Sequence, residues 1–324
     1  MGAGRFIAAG IVAGAVTVLA RRKLDQKVAE GALGGAKTWT RTNHRGEPIS
    51  LLEGPAVAAG LVAGAAVGGG NAPGATAFAT AAAGAFGLVD DLTEDTSERT
   101  KGLKGHLGAL LEGRLTTGGL KVLGISGSAL LAAAVGTRRT GSAFGHLVDV
   151  GLNGALIAGT ANLVNLFDLR PGRALKVGAA ASLPFALGGA GATGAVLGAA
   201  AAAAPGDLGE QDMLGDGGAN ALGALVGSQI AFGAPRAVRW AALAGVVGLM
   251  LASEKVSFSK VIAGNEWLNK VDMLGRRPAA DQADPADHAD QAAEPAAVPD
   301  PAPVSSPSGV RSTPASEPMA SPGA

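Results

Sequence analysis

PGATAFATAAAGAFGLVDDLTED, residues 73–95, decides how the chain is read: an uncharged apolar run from Pro73 to Val89 ends on the carboxylate pair Asp90 and Asp91. The run is close to the ~20 residues that a helix needs to cross a bilayer. A carboxylate pair is costly to hold against hydrocarbon, so two of them where such a helix meets water point to a divalent-cation or phosphate-chemistry site. Read alone, the pair serves equally as a helix end and a cap of the next loop, which Glu94, Asp95 and Glu98 make acidic in any case.

The rest of the chain supports a membrane setting. Of its 324 residues, 48% are hydrophobic and 16% charged, against roughly 25% charged in soluble domains, and the mean hydropathy is +0.30. The 52 glycines suit closely packed membrane helices, with small-residue pairs at Gly10 and Gly14, Gly60 and Gly64, and Gly223 and Gly227. Compositional bias explains any single pair equally well. A net charge of zero offers no argument for nucleic acid, and the absence of cysteine removes disulfides, thiolate catalysis and cysteine-ligated zinc. Any metal must be held by oxygen.

Nine apolar segments follow, at about 5–20, 51–69, 73–89, 119–136, 144–167, 174–188, 190–205, 214–233 and 236–252. The fold expected is all-α: a polytopic integral membrane protein of about nine to ten transmembrane helices. The first segment resembles a signal peptide in position, but Arg21, Arg22 and Lys23 behind it fit a retained helix with a cytoplasmic flank. Counting nine spans from outside leaves Arg5, Arg138, Arg139, Arg236 and Arg239 as the external basic residues, 5 of the 26 Lys and Arg. An excess of basic residues on the cytoplasmic side is the expected bias. From residue 278 to 324 the chain turns to Pro, Ala, Ser and Asp, which cannot bury enough apolar surface to order, so 1–277 is read as a membrane domain and 278–324 as a disordered cytoplasmic tail.

On that topology the polar motifs fall on the cytoplasmic side. Asp90 and Asp91 close the third span; Asn162, Asn165 and Asp168, in NLVNLFDLRPG, close the fifth; Asp216, in MLGDGGANALG, opens the eighth; and His44, in TRTNHRGEPIS, precedes the second. Residues spaced by three share a helix face, so Asn162, Asn165 and Asp168 should line a polar cleft or, for the asparagines, bond between helices. Asp216 fits an N-cap or first-turn acid, and its flanking glycines would let a phosphate approach the helix-start amides. Four carboxylates from three distant segments on one face are what a magnesium-diphosphate site needs. In 253–277, the apolar residues Val256, Val261, Trp267, Val271 and Leu274 interleave with Lys255, Lys260 and Lys270, as in an amphipathic helix on a membrane surface or a stop-transfer flank.

In order and placement, GLVDD, NLVNLFDLRPG and MLGDGGANALG resemble the signatures of the polyprenyl-phosphate N-acetylhexosamine-1-phosphate transferases, the family of the phospho-MurNAc-pentapeptide translocase. The similarity runs from about Arg41 to Gly275. The resemblance implies transfer of a sugar-1-phosphate from a UDP-sugar to a polyprenyl phosphate at the cytoplasmic face of the plasma membrane, with release of UMP, in cell-envelope biosynthesis. It implies Asp90, Asp91 and Asp168 as catalytic residues. Asp216 and Asp91 would be ligands to Mg2+ or Mn2+, and Asn162, Asn165, His44, Lys101 and Lys104 would bind substrate, in a protein that forms a homodimer in some settings. The chain departs from the family pattern where Leu169, Arg170 and Pro171 follow Asp168, so that the glycine after the aspartate and the second acid are lost, and 253–277 carries no histidine. Two other classes fit the residues: a catalytically silent homologue that binds a polyprenyl carrier or envelope partner, and a small transporter.

Overall fold

A computed structural model describes residues 2–43, 45–68, 70–93, 117–139, 141–187 and 190–278. The chain divides into two units, Met1–Arg277 and Pro278–Ala324; the second lies outside the described residues apart from Pro278, as do His44, Lys101 and Lys104.

The described residues are mostly helical. In chain order the helices are α1 Gly2–Ala29, α2 Ala36–Trp39, α3 Glu53–Gly68, α4 Pro73–Thr93, α5 Thr117–Gly136, α6 Ala143–Phe167, α7 Arg173–Ser182, α8 Ala190–Leu208, α9 Gly215–Gly233, α10 Arg236–Ser253, α11 Phe258–Gly264 and α12 Glu266–Met273. Four of them, α1, α5, α6 and α10, are long and apolar enough to cross a membrane, as an all-α membrane protein requires. The β1–β2 hairpin, Thr40–Thr42 against Pro48–Ser50 with Arg41 opposite Ile49, is the one sheet among the described residues.

Eight of the nine apolar segments each match one helix. The sixth, expected over 174–188, does not: α7 covers 10 residues, about 15 Å at 1.5 Å per residue, half of a ~30 Å hydrocarbon layer. Pro184 then tightens the chain into a single 3-10 turn at Leu183–Phe185. α3 begins beside Leu214 and ends beside Gly191, so the start of α8 lies at the opposite end of the bundle from the start of α9. The start of α7, where the Gly172 amide meets Asp207 near the end of α8, and the start of α8 therefore lie at opposite ends of the bundle.

The core is built from alanine and glycine because the helices approach closely. α1 packs on α8 and α3, α9 on α4 and α6. A methyl group added at Gly10 would stand 3.1 Å from the Gly194 carbonyl oxygen, and one at Gly14 3.1 Å from that of Gly198. One at Gly64 would stand 2.6 Å from Ala195 Cβ, and one at Gly223 2.6 Å from Ala161 Cα. The three small-residue pairs thus mark helix contacts. Gly223→Ala is expected to cost about 1–3 kcal/mol through overpacking, read as a lower thermal midpoint of the purified protein, whereas Gly127→Ala, whose Cβ would meet nothing within 4 Å, should not lower it.

Among the buried polar groups, Ser182 Oγ bonds Thr193 Oγ1 and Gln229 Oε1, both at 3.0 Å, and Gln229 Nε2 donates to Thr193 Oγ1 at 2.8 Å. This triad joins α7, α8 and α9 with its polar atoms satisfied inside an apolar core, as low-dielectric surroundings demand.

Candidate functional site

Every helix end that carries a candidate carboxylate arrives at one end of the bundle. Asp91, near the end of α4, accepts from the Asp216 amide through Oδ1 at 3.0 Å and from the Gly217 amide through Oδ2 at 2.8 Å. These are donors at the start of α9 that have no partner within the helix, and an anion there is also favoured by the helix dipole. Glycine is needed for the contact. Gly215 has φ of +60°, and a Cβ on it would stand 2.8 Å from Leu51 Cδ1; one on Gly217 would meet Leu88 Cα at 3.4 Å. The anion that the glycines admit to this helix start is the Asp91 carboxylate, where the sequence suggested a phosphate.

Asp90 and Asp216 meet on one cation. Lys121, from the first turns of α5, places its Nζ 2.5 Å from Asp90 Oδ2 and also in contact with Asp216 Oδ2. The three side chains are mostly buried. Asp168 caps the end of α6, its amide donating to the Asn165 carbonyl at 3.0 Å. Its carboxylate faces the Gly215 amide and lies within electrostatic reach of Asp207, Asp216 and Asp91. Asn162 and Asn165, half-buried, precede it on α6. The structure thus brings together Asp90, Asp91, Asp168 and Asp216.

The hairpin and the C-terminal helices close over this end. Arg41 donates to the Asp91 carbonyl oxygen at 2.6 Å, and Ser50 pairs with the 211–213 stretch through Ser50 N–Gln211 O and Met213 N–Ser50 O, both 2.9 Å. Arg45 bonds Glu210 at 2.8 Å, and Arg277 bonds Glu47 at 2.7 Å. The Arg277 guanidinium and then the Asn43 amide hold the Glu47 carboxyl down to about 2. Arg173, buried at the start of α7, grips Asp272 of α12 with two bonds of 2.7 and 2.9 Å and donates to Ser259 at 2.8 Å.

Sequence reading missed Lys121, Arg41, Arg173 and Asp207. Lys121 and Arg41 counted only as charges on a basic face. Asp207, whose Oδ1 accepts from the Gly172 amide at 3.0 Å, follows an alanine tract with no motif around it. It anchors the loop after Asp168 to the end of α8.

Among the described residues no three Asp, Glu or His side chains form a metal cage. Magnesium does not need one, since it commonly takes one or two carboxylates and fills its shell with water and substrate phosphates. Asp90 and Asp216 fit that pattern: hard oxygens from two helices that already converge on one positive charge, the Lys121 ammonium. Asp91 fits it less well, because both of its oxygens are taken by backbone amides. No family model, no curated protein and no solved structure matches this chain.

Proposed function

We propose that the protein transfers a sugar-1-phosphate from a UDP-sugar to a polyprenyl phosphate at the cytoplasmic face of the plasma membrane, as a multi-pass enzyme of nine to ten spans with its tail in the cytoplasm. The observation that carries the reading is the convergence of Asp90, Asp91, Asp168 and Asp216, from three separate motifs, around one cation position at one end of the bundle. In the reaction an oxygen of the lipid phosphate attacks the sugar-bearing phosphorus of the donor. The bond from that phosphorus to the bridging oxygen breaks, and UMP leaves with the bridging oxygen.

Phosphoryl transfer asks mainly for positioning and charge neutralisation. Asp90 and Asp91 lie nearest the lipid phosphate and one of the two takes its remaining proton, while Asp168, Asn162 and Asn165 orient the nucleotide diphosphate. Asp216, with Asp90, would hold Mg2+ or Mn2+, which when bound neutralises the diphosphate. His44, Lys101 and Lys104 contribute to substrate binding, and the protein works alone or as a homodimer.

The test is an exchange assay with purified protein, Mg2+, polyprenyl phosphate, labelled UMP and a panel of UDP-sugars. At least one donor should exchange label, and Asp216→Asn should lower the rate by about 100-fold or more, as losing a charge-stabilising group does. Absence of exchange with every donor, relative to an Asp91→Asn control, would overturn the reading. One observation favours a second reading, that of a silent homologue binding the carrier: Lys121 fills the position between Asp90 and Asp216. That reading predicts binding of polyprenyl phosphate without release of UMP.

A further inference from the structure

Beside the aspartate cluster, a cavity of about 210 Å3 opens between α1, α3 and α8 at the same end of the bundle. Roughly 10–15 Å3 is enough to admit one water, so the cavity has room for a small ligand. It is well below the ~300 Å3 at which drug-sized pockets begin. Its most unusual wall is Glu53. This side chain is 3% exposed and lines the cavity, yet neither carboxylate oxygen has a hydrogen-bond partner among the described residues. A buried carboxylate without donors is expensive. Its neighbours worsen the imbalance, for Asp207, Asp212 and Asp168 lie within electrostatic reach and Arg21 is the cation among them. Arg21 is itself engaged, donating to Asp212 Oδ1 at 2.6 Å.

The remaining walls sort by chemistry. Arg21 and Arg22 stand on the α1 side, Asp212 adds a second carboxylate that Arg21 holds, and Val18, Ala56, Ala202 and Ala203 supply an apolar surface. Along the same helix Ile7, Ile11 and Leu19 are exposed at 57%, 66% and 55%, as suits a helix whose outer face meets lipid.

We propose that this cavity binds the headgroup of a phospholipid that carries a primary ammonium. The ammonium donates to Glu53, the phosphate lies against Arg21 and Arg22, and the glycerol end leaves along Val18. Three ligand features then meet three wall chemistries. A purely anionic lipid leaves Glu53 without a donor and brings more negative charge to it, while a quaternary ammonium has no N–H to offer. The inference does not depend on the transfer reaction and stands equally for a silent protein.

Native mass spectrometry of the full chain, with phosphatidylethanolamine, its N-methylated analogues, phosphatidylcholine and phosphatidylglycerol, tests it. Ethanolamine lipid should be retained on the order of tenfold better than choline lipid, the preference expected of a charge-assisted hydrogen bond, and affinity should fall stepwise with methylation. Glu53→Gln should abolish that preference and should not lower retention of phosphatidylglycerol, since it removes a negative charge from the cavity wall. The methylation series needs no variant, so a misfolded Glu53→Gln would not spoil the test. Equal retention of ethanolamine and choline lipids, or a preference for phosphatidylglycerol, would overturn the proposal, as would a Glu53→Gln protein that keeps the wild-type preference.

Discussion

Lys121→Met is expected to destabilise the protein by about 3–5 kcal/mol, the usual cost of removing one partner from a buried ion pair, and to make its stability depend on Mg2+. Lys121 is the cation that Asp90 and Asp216 share, and the three side chains are 16%, 11% and 27% exposed. Methionine keeps the length and apolar stem of lysine but leaves two carboxylates facing each other in a poorly solvated site. The backbone of α9 resists their separation, because its first amides are held by Asp91. An external cation is then the available relief. A ligand that binds the folded state stabilises it by RT ln(1 + [L]/Kd), about 2.7 kcal/mol at a hundred times Kd.

The variant's thermal midpoint should therefore rise with Mg2+ by several degrees more than that of the wild type, and Asp90→Asn added to Lys121→Met should remove much of the response. A loss below about 1 kcal/mol, together with equal Mg2+ responses of variant and wild type, would show that the three groups do not act as a charge cluster. Stability measured in this way does not require turnover, so the result separates the cation site from the enzymatic reading.

The helices and the convergence of the acids were legible for the same reason: both follow from where apolar runs start and stop. Asp90, Asp168 and Asp216 each sit at the border of such a run, so alternating the runs up and down carries them to one end. What could not be read was partnership. Lys121 lies inside TTGGLKVLG with no spacing relation to either aspartate, and 95 residues separate it from Asp216. The length of α7 was also hidden, since the apolar composition continues to residue 188 while Pro184 stops the regular helix. The hairpin at Thr40–Ser50 escaped notice because its strands have 3 residues each. They are held by Ser50 pairing with residues 211–213, a tertiary contact rather than a local preference.

The C-terminal segment carries the other large effect. Asp272→Ala is expected to cost about 3–5 kcal/mol and to free α11 and α12 from the bundle, because one carboxylate serves two guanidiniums. Arg173 holds it with two bonds, Arg276 reaches its Oδ2 at 3.0 Å, and Lys176 donates to its backbone carbonyl at 2.6 Å. Arg173 and Arg276 are 6% and 9% exposed, so removing the carboxylate strands two guanidiniums out of water. Burial alone would push the Asp272 carboxyl up, but Arg173 foremost, and then Arg276, hold it below the ordinary range. A depressed value means that the tie is fully present above the unfolded value of ~3.9 and weakens only as pH falls below it. The geometry also inverts the usual amphipathic logic. On α12 the acid Asp272 faces the protein, while Trp267 and Val271 are 69% and 41% exposed, an arrangement that suits a helix lying against lipid better than one in water. Limited proteolysis of Asp272→Ala should cut within 254–277 at least ~10-fold faster than in the wild type, since cleavage follows the population of the open form. The pair Arg173→Met and Asp272→Leu should recover part of the loss, because it replaces one of the two stranded guanidiniums with an apolar group and leaves only Arg276 without the carboxylate. Cleavage at the wild-type rate in Asp272→Ala would mean that apolar contacts, and not this ion cluster, hold the segment over the site.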